Sequence, residues 1–181
     1  MHIGYVEDCT EETKVERNWL TGMAVALYVA AFPLHAGQAA GKLETEMGVE
    51  AVDEKGCVLR FVSGDQTIQA LQLAVNVYGQ NGVDDDMIVS EINRVIDSGC
   101  PVNEADEQGL TPLNAAILFN EPALVELLLS KGADPDKKIL RPGKITDGMN
   151  SYEFADMLAE KDDGKDRQRI RKLLEKHGAK Q

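Results

Sequence analysis

Few residues in this 181-residue chain have types and spacings that could do chemistry. The histidines His2, His35 and His177 stand at no metal-ligand or catalytic-motif spacing to another ligand type, and no nucleophile elbow, phosphate loop or HExxH motif occurs. The run Asp84, Asp85, Asp86 offers carboxylates to a cation. Acidic residues at a helix start are stabilised by the helix dipole without any ion, however, and Asp86 can cap the helical stripe of Ile92, Val95 and Ile96 that follows. Asp162, Asp163, Gly164 and Asp166 are spaced like the start of a calcium loop, but Leu173 stands at the twelfth position where a carboxylate is required. A solvated charged turn is the better reading. The chain is therefore expected to be no enzyme, with no catalytic residue, cofactor, metal or small-molecule substrate.

The cysteines Cys9, Cys57 and Cys100 contain no CxxC spacing, which argues against zinc. Whether any of them pair depends on compartment. Residues 1–17 are polar and predominantly acidic, whereas residues 18–41 contain no Asp, Glu, Lys or Arg. Within that second stretch, residues 23–32 (MAVALYVAAF) have the length of a signal-peptide apolar region, preceded by Lys14 and Arg17 and followed by Pro33 and AGQAA. Cleavage near Ala39 or Ala40 would remove Cys9 and leave Cys57 and Cys100 as an even pair, able to form a disulfide in a periplasmic or secreted protein. Glu16 and the acidic leader make this an unusual signal. The alternatives are a cytoplasmic protein with a buried helix here and two thiols, or a membrane anchor. Anchoring is disfavoured because Pro33 interrupts the run short of the roughly 20 residues a span needs.

A formal charge of −12 and a pI near 4.7 speak against nucleic acid, whose phosphates need a basic face. A basic protein is the favoured partner, and the alternative is that the acidity serves solubility alone.

The stretch that must position any binding residues is 106–136, DEQGLTPLNAAILFNEPALVELLLSKGADPD. Gly109 signals a turn, Thr111 is placed as an N-cap, and Pro112 sits at the first helical position, where its missing N–H costs nothing. Leu113, Ala116 and Ile117 would pack one helix. Asn120 and Glu121 break it, Pro122 restarts a second with Leu124, Val125, Leu127, Leu128 and Leu129 in a wide apolar stripe, and Gly132 closes it as a left-handed residue. The pattern DxxGxTPLxxA followed by LVxLLLxxGADP resembles the ankyrin repeat in register, at Asp106, Gly109, Thr111, Pro112, Leu113, Ala116, Leu124, Val125, Leu127, Leu128, Gly132 and Ala133. Asn114 departs from it, standing where the family usually carries a His that bonds back to the Thr turn. Asn can make part of that network.

The rest of the chain is organised around this unit. From Gly99 to Gly132 is 33 positions, the ankyrin period. Residues 67–103 read as a divergent repeat, with Ile68, Leu71, Leu73, Ala74, Val75 and Val77 on its first helix. Residues 137–181 read as a longer third repeat, with Tyr152, Phe154, Ala155 and Leu158 on one helix and Ile170, Leu173 and Leu174 on the other. Arg167, Arg169, Arg171 and Lys172 would keep the last helix polar outside, as a terminal cap needs. Residues 41–66 read as an N-terminal helical cap, with Leu43 and Met47 on one helical face before the β-prone run CVLRFV. Residues 1–40 form the leader and apolar segment. The expected fold is all-α, a short solenoid of about three helix-turn-helix repeats with a core through Leu71, Val75, Ile92, Ile96, Leu113, Ala116, Leu128, Phe154, Leu158 and Leu173.

The resemblance implies a non-catalytic protein-binding module that uses hairpin tips and first-helix positions, here Asp106, Glu107, Gln108, Leu110, Ala115, Leu118 and Phe119. Leu118 and Phe119 stand where polar residues are usual, so they would form an apolar anchor, unless the long loop 137–149 folds across and buries them. That loop carries Lys137, Lys138, Arg141 and Lys144 around Ile139, Leu140 and Ile145, and is too long for a simple connection. Small exported ankyrin proteins include immunity proteins that neutralise secreted toxins, which makes that role the most concrete candidate. A scaffold or regulator of an envelope enzyme, or a cytoplasmic adaptor, would share these features.

Overall fold

The computed structural model describes residues 47–161 and 167–178, all within the unit Ala39–Gln181. The leader, the apolar segment, Leu43 and the charged turn at 162–166 lie outside the described residues.

Met47, on the expected helical face, is helical, and strands rather than further helix follow it in the expected cap. β1 (Val49–Ala51), β2 (Val58–Phe61) and β3 (Thr67–Gln69) form an antiparallel sheet in the order β1-β2-β3, with Val49 opposite Phe61 and Leu59 opposite Ile68. The β-branched and alternating character of the run at 57–62 decides this, since it puts Leu59 into the core and Arg60 into solvent. Asp53 closes the first turn by accepting from the Val58 backbone N–H (2.7 Å) and the Lys55 N–H (3.3 Å). Thr67 and Ile68 pair with β2, so the first helix begins later than periodicity alone indicates.

Six helices follow among the described residues: α1 (Ala70–Val77), α2 (Asp85–Asp97), α3 (Pro112–Phe119), α4 (Pro122–Ser130), α5 (Ser151–Glu160) and α6 (Gln168–Gly178). They pack as pairs, α1 with α2, α3 with α4 and α5 with α6. The first members stack in sequence, α1 on α3 and α3 on α5, and α4 stacks on α6. The fold is mostly helical with a small sheet, and so is not all-α.

Local chemistry sets the helix ends. The Thr111 hydroxyl accepts from the Asn114 N–H (3.2 Å), Pro112 occupies the first turn, and Asn120 ends α3 in the left-handed region at φ +63°. Asp84 caps α2 in place of Asp86, accepting from the N–H groups of Asp86 (3.0 Å) and Met87 (3.3 Å), while the Asp85 carboxylate takes the Gly79 N–H (2.8 Å). Asn150 and Glu153 form a reciprocal capping box on α5.

The core runs through Leu71, Val75, Ile92, Leu113, Ala116, Leu128, Phe154 and Leu158, with Ile96 and Leu173 only half-buried at its edge. Arg167 corrects a further expectation. It precedes α6 and is buried, 4% exposed, whereas Arg169, Arg171 and Lys172 face solvent.

A disulfide joins Cys57, beside β2, to Cys100, just past α2, with Cα atoms 5.3 Å apart, and ties the sheet to the first helix pair. It closes a loop of 43 residues, which in the chain-entropy picture stabilises by about 4 kcal/mol. Urea denaturation of the Cys57→Ser, Cys100→Ser variant is expected to show a loss of about 2–4 kcal/mol. Leu128→Ala, in the fully buried face of α4, should cost about 2–5 kcal/mol in the same assay.

Candidate interaction surface

The tip preceding α3 is built by one carboxylate. Asp106 Oδ1 accepts from the N–H groups of Gln108 (2.9 Å) and Leu110 (2.9 Å), while the Asp106 N–H donates to the Leu110 carbonyl (2.9 Å). Gly109 completes the turn at φ +73°. Gln72 Nε2, from α1, donates to Asp106 Oδ2 (3.2 Å). Asp106 is half-buried, and desolvation pushes its carboxyl above the ordinary value of 3.8, against the opposing pull of the Leu110 and Gln108 N–H groups and of Arg141. Its geometry makes it a positioning residue that holds Glu107 and Gln108 outward, where both are exposed.

Leu110 and Ala115 point inward. Leu110 is 6% exposed and Ala115 2%, because α3 lies between α1 and α5 and the side that one repeat alone would leave open is covered. Leu118 and Phe119 are half-buried and pack on the core at the C-terminal end of α3. The loop 137–149 is not what covers them. It seats at the other end of α3, where a Cβ on Gly109 would lie 2.3 Å from the Leu140 carbonyl oxygen. The length of an eight-residue helix, about 12 Å, therefore separates the apolar pair from Glu107 and Gln108.

The loop is itself folded. The Ile139 N–H donates to the Met149 carbonyl and the Gly148 N–H to the Ile139 carbonyl, both at 2.8 Å. Beyond that rung the Lys144 N–H closes on the Arg141 carbonyl (3.0 Å) across Pro142 and Gly143, the latter at φ +81°, and Asp147 Oδ1 accepts the Arg141 N–H (2.9 Å). Ile139 is fully buried and Thr146 nearly so, while Leu140 and Ile145 are exposed. Side-chain contacts hold the hairpin's flanks: Lys137 Nζ donates to the Asn103 carbonyl (2.5 Å), Arg141 donates to Gln108 Oε1 (3.2 Å), and Lys138 pairs with Glu153 (3.1 Å). The Asn150 N–H and Lys138 hold the Glu153 carboxyl below its ordinary range.

Three polar residues outside the expected set join successive helix pairs. Gln72 and Asn114 each stand three places after an N-cap, Gln69 and Thr111. Gln72 reaches Asp106, and Asn114 Oδ1 accepts from Ser151 Oγ (2.8 Å), so the Asn114 side chain turns to the next helix pair and only its backbone N–H meets the Thr turn. Arg167 donates to the carbonyls of Ile117 (2.7 Å) and Leu118 (3.4 Å) at the end of α3. The equal spacing of Gln72 and Asn114 from their caps becomes visible only once the structure places the start of α1 after Gln69. Nothing local distinguishes Arg167 from its exposed neighbours. Among the described residues no group of three or more His, Cys, Asp or Glu could hold a metal ion. The cleft between α5 and α6, lined by Tyr152, Asp156, Arg171 and Glu175, is crossed by the Arg171–Asp156 ion pair (2.8 Å).

The family model for the ankyrin repeat matches residues 108–139, from the exposed tip through α3 and α4 to the buried Ile139 of the hairpin. A comparison with curated proteins finds no match.

Because the folded Asp106 carboxyl binds its proton more tightly than the unfolded one, the stabilisation from protonation is present below pH 3.8 and is lost as pH rises through the folded value. Asp106→Asn keeps the acceptor for the two N–H groups, and a flip of the Gln72 amide lets the new Nδ2 donate to Gln72 Oε1 in place of the Gln72 Nε2–Oδ2 bond that is lost. Urea midpoints at pH 7 should find Asp106→Asn at least as stable as the parent, with the difference shrinking in acid. Asp106→Ala should lose about 1–3 kcal/mol.

Proposed function

We propose that this ankyrin-repeat protein is a non-catalytic protein-binding module, a short solenoid of three stacked helix pairs capped by the small sheet. The observation that carries the reading is the ankyrin repeat at residues 108–139, a unit that supplies stacked helices and a projecting tip without any catalytic constellation. The partner contacts Glu107 and Gln108 at the tip and Leu118 and Phe119 at the far end of α3. Asp106 holds the tip from beneath, and Leu110 and Ala115 support it from the core. The chain remains net acidic once residues 1–39 are removed, so long-range attraction steers a predominantly basic partner. Phe119 is the most energetic contact, since half-buried aromatics lose most water for least entropy.

The chain is exported in this reading, a placement supported by the Cys57–Cys100 disulfide, a bond that persists in oxidising compartments. Among the described residues no helix is long and apolar enough to cross a membrane. An immunity protein against a secreted toxin is the form of the proposal that joins acidity, export and a binding fold. Regulation of an envelope enzyme is the second reading, and a toxin gene beside this one would favour the first.

Pull-down from the native host with the parent and with Phe119→Ala is expected to show partner retention falling roughly tenfold, the effect of an aromatic contact of moderate strength. Equal retention, persisting when Glu107 and Leu118 are also changed, would count against this surface. Mass spectrometry of the native protein should find an N-terminus near Ala40 and no alkylatable thiol before reduction. An intact leader with two free thiols would refute export.

A further inference from the structure

We propose that Asn81, with the Gly82 backbone nitrogen as its nucleophile, is a site of spontaneous covalent modification, at which the side-chain amide leaves as ammonia and an aspartyl or isoaspartyl residue takes its place. Such a reaction needs no enzyme, and its conditions are geometric. The N–H of the following residue must be free to lose its proton and reach the side-chain carbonyl carbon, and the amide must stand open to water.

The turn between α1 and α2 meets both conditions. Asn81 and Gly82 are exposed. The Val83 N–H closes the turn on the Gln80 carbonyl (3.1 Å), with Gly82 in its third position at φ +86°, the type II arrangement. That rung spans Asn81 and Gly82 without using either. Among the described residues neither the Asn81 side chain nor the Gly82 N–H has a hydrogen-bond partner. Gly82 has no side chain to shield its nitrogen, and nothing lies within 4 Å of where a Cβ would stand.

No other described asparagine is so placed. Asn76, Asn93 and Asn114 lie inside α1, α2 and α3, where the helical ladder takes the next N–H. At Asn120 and Asn150 the next N–H is held as well, by the carbonyls of Ala116 (3.0 Å) and Pro135 (2.8 Å). Asn103 has its amide fixed at both ends, donating to the Gly132 carbonyl (3.2 Å) and accepting from the Asp134 N–H (2.8 Å). The fold thus withdraws either the nucleophile or the amide everywhere except at Asn81.

The steps balance without an oxidant or reductant. A solvent base removes the Gly82 N–H proton, the nitrogen bonds to Cγ of Asn81, and the Cγ–Nδ2 bond breaks with release of ammonia, leaving a cyclic imide. Closure swings the Asn81 backbone out of the turn, and the Val83–Gln80 rung is the bond that spans the moving residues. Water then adds to one of the two imide carbonyl carbons, and the bond from that carbon to the Gly82 nitrogen breaks. Opening at Cγ gives aspartate. Opening at the backbone carbon gives isoaspartate, whose main chain runs through the former side chain and is longer by a methylene. Either product sets a new carboxylate just ahead of Asp84, the cap of α2.

The test is incubation of the whole chain at mildly alkaline pH, followed by peptide mapping in a mass spectrometer and by methyl transfer from an isoaspartyl methyltransferase. The peptide containing Asn81 is expected to gain the mass of amide-to-acid exchange and to accept methyl groups, at a rate close to that of a synthetic peptide of residues 78–84 and rising with pH. Peptides carrying the other described asparagines should stay unchanged over the same period. Asn81→Gln should remove the change, and Gly82→Ala, whose Cβ shields the nitrogen, should slow it severalfold. Both positions are exposed, and circular dichroism of the fresh variants checks that they fold. A rate at Asn81 far below that of the free peptide, earlier conversion at another described asparagine, or methyl acceptance that persists in Asn81→Gln each overturns the proposal.

Discussion

The structure depends on α3 being covered from both sides. Its eight residues place Leu113, Ala115, Ala116 and Ile117 in the core together with the side chain of Asn114, more apolar surface than the single partner α4 could enclose. A short helix pair is not stable alone, and stacking is what removes the remaining surface from water. α1 and α5 supply the two covers. The alanines at 115 and 116 are the condition for this, because larger side chains would hold those helices apart.

Stacking apolar faces leaves open how far each pair may slide on the next, and the buried polar contacts answer that. Gln72 reaches forward to Asp106, Ser151 reaches back to Asn114, and Arg167 reaches back to the carbonyls ending α3. Each joins a side chain of one helix pair to a group of the adjacent one, and a shift of even one helical turn would leave these buried groups without partners, at a cost of about 1–3 kcal/mol apiece. The disulfide does for the sheet and first pair what hydrogen bonds do for the others.

The acidity of the chain divides by place. Asp53, Asp84, Asp85, Asp106 and Asp147 spend their carboxylates on backbone N–H groups at turns and helix starts, which is why a run such as 84–86 does not need a cation. Glu107 stands exposed on the tip. The hairpin at 137–149 mixes both signs, with Lys138 paired to Glu153 and the Asp147 carboxylate on the Arg141 N–H.

What the sequence determined by itself is what nearest neighbours determine. Thr111 with Pro112, Asn120, Gly132, and Asn150 with Glu153 start and stop helices through groups within four residues, so those ends are legible in the residue types alone, as is the 33-residue period. Only the tertiary structure decided the rest. The β-prone run at 57–62 marks one strand, but the sheet also needed β1 and β3 on either side of it, partners that the run does not specify. Ala115 and Leu110 left the surface because a neighbouring helix covered one and the tip folded the other inward. Arg167 was drawn into the interior because the end of α3 presents carbonyls to it, while Arg169 and Arg171, two and four places on, remain in water. Leu140 and Ile145 face solvent although their neighbour Ile139 is buried, since the rung to residues 148–149 and the seat against Gly109 set the facing of the hairpin. In each case the deciding partner lies many residues away in the chain, and residue type alone carries no record of which distant group will arrive.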